Sequence, residues 1–156
     1  MKQKLLLTMV LLISINLFAL ECNESSFNKG NEEMRQLYSL YNKTTVATKE
    51  QKAIISKSNY SEQMKILEDR LVVLEQSKSY LFQANMLNTI NIDTWKDLEK
   101  TCKDKYLYVV QKARMNAENM QKTIKERLDI INSYINQTEI VITVGKKKYS
   151  GAKENN

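Results

Sequence analysis

Apolar positions over residues 95–135 recur in steps of three, four and four: Trp95, Leu98, Cys102, Tyr106, Val109, Ala113, Ala117, Met120, Ile124, Leu128, Ile131 and Ile135. That 11-residue period, about 3.67 residues per turn, lies close to the natural helical repeat and refuses the two-residue period of a strand. Thr94, with Asp97 three residues on, makes a box-like cap. The pattern predicts one helix over residues 94–136, roughly 65 Å long at about 1.5 Å per residue.

The middle of the chain has a different rhythm. Tyr60, Met64, Leu67, Leu71, Leu74, Lys78 and Leu81 step by four and three, a heptad-type seam with Lys78 as its polar member. Asn59 followed by Glu62 resembles a capping pair. A helix is expected over residues 60–84, ending where Asn85, Asn88, Asn91 and Asp93 favour a turn over a helix interior. Before it, Met34, Leu37, Tyr38 and Tyr41 start a stripe that weakens at Thr44, Thr45 and Thr48 and resumes at Ala53. This reads as a helix over residues 32–56, with a turn over 56–59.

At the far end Ile140, Val141, Ile142, Thr143 and Val144 are all β-branched, which favours strand over helix, and Gly145 follows. Ile140, Ile142 and Val144 are candidates for strand pairing, within a folded-back tail or with another chain. The alternative is a frayed continuation of the third helix. Residues 31–144 contain neither glycine nor proline, the strongest local punctuators, as long helices with minimal turns require. The fold class is therefore all-α: an elongated antiparallel three-helix, coiled-coil-like bundle with a long third helix and a short C-terminal β-prone tail.

Ahead of this pattern Lys2 and Lys4 precede an uncharged apolar run over residues 5–20, and Ala19 is a small residue suited to cleavage. These features describe a secretory signal peptide over residues 1–19, the alternative being an uncleaved anchor. The helical bundle then occupies residues 20–144 and a basic flexible tail 145–156. The chain is exported, to a periplasm or the extracellular medium. Its net charge of +6 falls to +4 once Lys2 and Lys4 leave. Charges of both signs are interspersed, so there is no concentrated basic face for nucleic acid. Membrane contact is limited to an uncleaved signal or to Lys146, Lys147 and Lys148.

Cys22 and Cys102 are the only cysteines, an even pair in an exported chain. In an up-down-up bundle both lie near one end, so a disulfide is expected, stabilising by about 4 kcal/mol in the chain-entropy model. Histidine is absent, which removes Ser/His/Asp and Cys/His catalysis. There is no Cys-x-x-Cys and no glycine-rich phosphate loop. Carboxylate pairs such as Glu32 with Glu33 and Glu68 with Asp69 read as solvated helix faces. No catalytic residue, metal or cofactor is expected. Tyr38, Tyr41, Trp95 and Tyr106 crowd the disulfide end, as core or as an aromatic ligand pocket.

One mismatch points to function. The third helix is predicted to outlast its neighbours by roughly 25 Å. Its stripe nevertheless stays apolar through Met120, Ile124, Leu128, Ile131 and Ile135. An exposed stripe of that length implies a contact face closed by self-association or a protein partner. The alternative is that helix one or the tail covers it. In layout the chain is similar to exported coiled-coil chaperones and small pilus-associated subunits. Trp95 shortly before Cys102 resembles the LprI-type lysozyme inhibitors, a helical group whose other paired cysteines this chain lacks. The expected function is a non-enzymatic, exported interaction or structural protein; the alternative is a monomeric binding module for an apolar ligand, a peptide or an enzyme.

Overall fold

The computed structural model describes residues 20–49 and 59–153, which form three α-helices and no strand. These are α1 (Glu24–Lys49), α2 (Tyr60–Thr101) and α3 (Asp104–Lys153). The expected signal peptide over residues 1–19, the resumed stripe at Ala53 and nearly all of the expected 56–59 turn lie outside the described residues. Among those described, no helix is long and apolar enough to cross a membrane.

Asn59 caps α2 as its sequence implies: its side-chain Oδ1 accepts from the Glu62 backbone N–H at 3.0 Å. Leu67, Leu74 and Leu81 are buried, confirming the seam. The helix does not stop at Ala84. It runs on to Thr101, and the seven-residue spacing continues through buried Asn88, Trp95 and Cys102. The asparagines expected to break it instead turn their side chains to the neighbouring helices and bond there. Asn88 Nδ2 donates to the Ala117 carbonyl at 2.9 Å and to Gln121 Oε1 at 2.7 Å. Gln121 Nε2 donates in turn to Asn85 Oδ1 at 2.7 Å. Such bonds offset the weak helix propensity of asparagine, and a polar residue on an apolar seam sets register.

The turn falls instead at Cys102 and Lys103. Cys102 leaves the helix with φ −80° and ψ 147°, and Asp104 takes a left-handed φ of 52°. Aspartate tolerates that region better than most residues, so no glycine marks the place. The three-four-four stripe therefore crossed a turn. Trp95 and Leu98 belong to α2 and Cys102 to the turn that follows it, while Tyr106 and Val109 stand half-exposed on α3. The buried line of α3 is Val110, Ala117, Ile124, Ile131 and Thr138, again seven apart.

α2 packs along both other helices. Its late residues meet early residues of α3, as where Glu99 pairs with Arg114 at 2.9 Å. Its early residues meet late ones, as where Glu68 pairs with Lys146 at 2.6 Å. Because α2 is 42 residues long, it accompanies the whole apolar line of α3. This overturns the expected contact face. Met120, Ile124, Ile131 and Ile135 are core, packed with Leu37, Leu74, Leu81 and Ala84, and Leu128 is partly buried against them. Helix two covers the stripe along its length, and helix one joins it through Leu37, with Met34, Leu40 and Tyr41 packed alongside.

The C-terminal strand is also corrected. Ile140, Ile142 and Val144 lie within α3, with Ile142 buried and the other two exposed. The helix continues through Gly145, the expected start of a tail, to Lys153. Gly145 serves close approach rather than termination. A Cβ there would meet Met64 Sδ at 3.0 Å and Tyr60 Oη at 3.2 Å.

Candidate functional site

Functional geometry concentrates where the start of α1, the end of α2 and the start of α3 meet. α1 begins at Glu24, earlier than its apolar stripe suggested, because Asn23 caps it: Asn23 Oδ1 accepts from the Ser26 N–H at 3.0 Å. Cys22, just before that cap, is bonded to Cys102 in the α2–α3 turn, with 5.0 Å between the Cα atoms. Thr101 Oγ1 donates to the Leu20 carbonyl at 2.8 Å, pinning the incoming chain beside the disulfide.

Beneath the disulfide lies a small core of Trp95, Leu98, Cys102, Val110 and Ala117, with Phe27 packed against it. Trp95 is buried, and its indole N–H donates to Asn91 Oδ1 at 3.0 Å. Asn91 then spends its own amide on α1, donating to the Gly30 carbonyl at 2.7 Å and to Glu33 Oε2 at 3.1 Å. Thr94 Oγ1 donates to the other Glu33 oxygen at 3.2 Å. Glu33 is therefore drawn into the helix contact, whereas Glu32 stays on the surface. Hydrogen bonds from Arg35 and Gln36 hold the Glu32 carboxyl at about 2, well below its ordinary value. At the same end a hydrogen bond to Asp97 raises the Lys100 ammonium above its ordinary value.

Gly30 makes this contact possible. A Cβ at that position would lie 2.6 to 2.9 Å from three atoms of the Trp95 ring. Gly30→Ala should therefore destabilise the fold by about 1–3 kcal/mol, through overpacking. The helix propensity of alanine would favour the substitution by about 1 kcal/mol, so a lower urea midpoint shows packing to be dominant.

Over this core opens a groove of about 510 Å³, lined by Cys22, Asn23, Glu24, Phe27, Tyr106 and Val109. The Phe27 ring meets Trp95 edge-on at 6.1 Å and Tyr106 at 6.2 Å. The Lys105 ammonium lies 5.1 Å from the Tyr106 ring centre. The volume is in the range of ligand sites, and the lining is mainly apolar. Tyr106 and Val109 are half-exposed, so the groove is an open one.

The expected pair Cys22 and Cys102 is brought together here. The five residues assigned to a contact face lie farther along α3, in the core, and Ile140, Ile142 and Val144 lie beyond them. Of the aromatic group, Trp95 and Tyr106 reach this end, whereas Tyr41 lies below Arg127, 5.3 Å from it. Phe27, Gly30 and Asn91 were missed. Phe27 and Gly30 precede the apolar stripe of α1, and Asn91 looked like a turn former. The three-residue spacing of Asn85, Asn88 and Asn91 is the signal that could have revealed a polar seam on a helix.

Among the described residues no group of three or more Cys, Asp or Glu side chains is arranged to hold a metal ion. Both cysteines are committed to the disulfide. The groove offers rings, a disulfide wall and the Glu24 carboxylate at its edge, which is chemistry for holding an apolar group. The chain matches no family model, no curated protein and no solved structure.

Proposed function

We propose that the chain is an exported, non-enzymatic interaction protein, an elongated antiparallel bundle clamped by a disulfide, that holds an apolar side chain of a protein partner. The open groove of Phe27, Tyr106 and Val109 carries this reading. Half-exposed walls suit a side chain presented by a protein better than a fully enclosed small molecule. The cross-linked pair fits an oxidising compartment, periplasmic or extracellular. The burial of the α3 stripe removes the support for docking through that face and favours a binding module.

The test compares the mature chain with a Tyr106→Ser, Val109→Ser double variant as baits in native envelope or culture fluid. A Met115→Ser variant, altered at an exposed residue away from the groove, is the control. The expected result is one partner retained by the mature chain and the control and lost by the double variant, with equal helicity in all three. Equal capture by all three would reject the groove.

A further inference from the structure

The outward side of α2, turned from both α1 and α3, carries an exposed ladder. Phe82, Met86 and Ile90 stand four residues apart and are 51%, 67% and 50% exposed. From Ser79 to Ile92 the helix has no charged residue, in a chain that is 27% charged. Charge depletion with exposed Phe, Met and Ile is the composition of an interface core, not of an ordinary solvated face.

The charges bounding this window are arranged symmetrically. Glu75 and Lys78 precede it, and Asp93 and Lys96 follow it. Lys78 and Lys96 are 18 residues apart, five full helical turns, so they share one rotational position. Glu75 and Asp93 share another by the same spacing. Consider two copies of α2 laid antiparallel, with the two-fold axis between Asn85 and Met86. Lys78 then faces Asp93 of the second copy, and Glu75 faces its Lys96. The two-fold repeats both pairs. Phe82 meets the level of Thr89, between Met86 and Ile90 of the second copy, so the ladder interlocks. A parallel in-register pair would set each charge against its own like, which is unfavourable.

We infer that the outward face of α2 is the surface through which two copies of this chain associate, antiparallel and two-fold symmetric. The isologous pattern is the one a two-fold interface requires. Within one chain Asp93 and Lys96 form only a loose pair, 3.9 Å apart and at least half exposed, so both are available to re-pair. This surface is independent of the groove, which lies at the disulfide end and stays open in the dimer.

Sedimentation of the oxidised mature chain over a range of concentrations tests the inference. A dimer is expected, with Met86→Lys weakening it by about 30-fold or more and leaving helicity unchanged. Lys78→Glu or Asp93→Lys alone should weaken the dimer, and the two together should restore it. Met86→Cys should cross-link two chains under mild oxidation, since Cys22 and Cys102 leave no free thiol to compete. A monomer at the highest concentration, a dimer indifferent to Met86→Lys, or a charge swap without rescue would each overturn the inference.

Discussion

Ile124→Asp and Ile131→Asp are expected to unfold the bundle. Both side chains are fully buried and packed with Leu37, Leu74 and Leu81. Each substitution removes an apolar side chain worth about 2–5 kcal/mol in a core and buries a carboxylate without a partner, which costs several kcal/mol more. A domain of this size is stable by about 5–15 kcal/mol, so either change consumes much of that margin. Far-UV circular dichroism should show loss of helix at ambient temperature or a large fall in urea midpoint. Were these residues an exposed contact face, as the chain's periodicity alone suggested, helicity would survive and only assembly would suffer. Retained helicity with weakened assembly would contradict the packing described above.

Reducing the Cys22–Cys102 disulfide, or replacing both cysteines with serine, should cost about 4 kcal/mol in the chain-entropy model for its 80-residue separation. The loss should centre on α1, which the disulfide holds at the point where Leu20, Phe27 and Gly30 meet α2 and the turn. Trp95 is the single tryptophan and only 2% exposed. Its emission therefore reports this end directly. Urea titrations with and without reductant should show the Trp95 transition at a clearly lower midpoint in the reduced chain. An unchanged midpoint would mean that Asn91, Glu33 and the Gly30–Trp95 contact hold α1 without covalent help.

These expectations differ from those of the bare chain at identifiable residues. The Leu67, Leu74, Leu81 seam and the Asn59 cap were legible because each depends on neighbours within one helix. The pairing of Cys22 with Cys102 was legible because only two cysteines exist, although Cys102 was placed inside a helix instead of at a turn. The turn itself was misplaced for a physical reason. Asn85, Asn88 and Asn91 disfavour helix when solvated, and their partners Ala117, Gln121, Gly30 and Glu33 are remote in sequence. Once that turn was put too early, α2 became too short and the distal stripe of α3 was left with nothing to cover it. The supposed interaction face followed from that error.

The groove was only partly legible. Trp95 and Tyr106 were placed at the disulfide end, but Phe27 lies before the apolar stripe of α1, in a turn started by Asn23. Its contact with Trp95 is a distance between helices that no local pattern contains.

By itself the sequence determined that the chain is helical, that its middle helix carries a seven-spaced apolar seam, and that its two cysteines can meet at one end. Those properties come from local propensity, from periodicity and from cysteine count, and all act within a few residues or by elimination. Tertiary structure alone decided where α2 ends, which apolar stripe is core and which is surface, and that three asparagines and a glycine belong inside a helix pair. Each of those is settled by what a distant helix supplies: a carbonyl for an amide, a ring against a missing Cβ, or a second apolar line along the first. The long stretch of α3 that looked like a surface is core for that reason. The aromatic groove and the uncharged back of α2 are two apolar surfaces that the structure leaves exposed among the described residues.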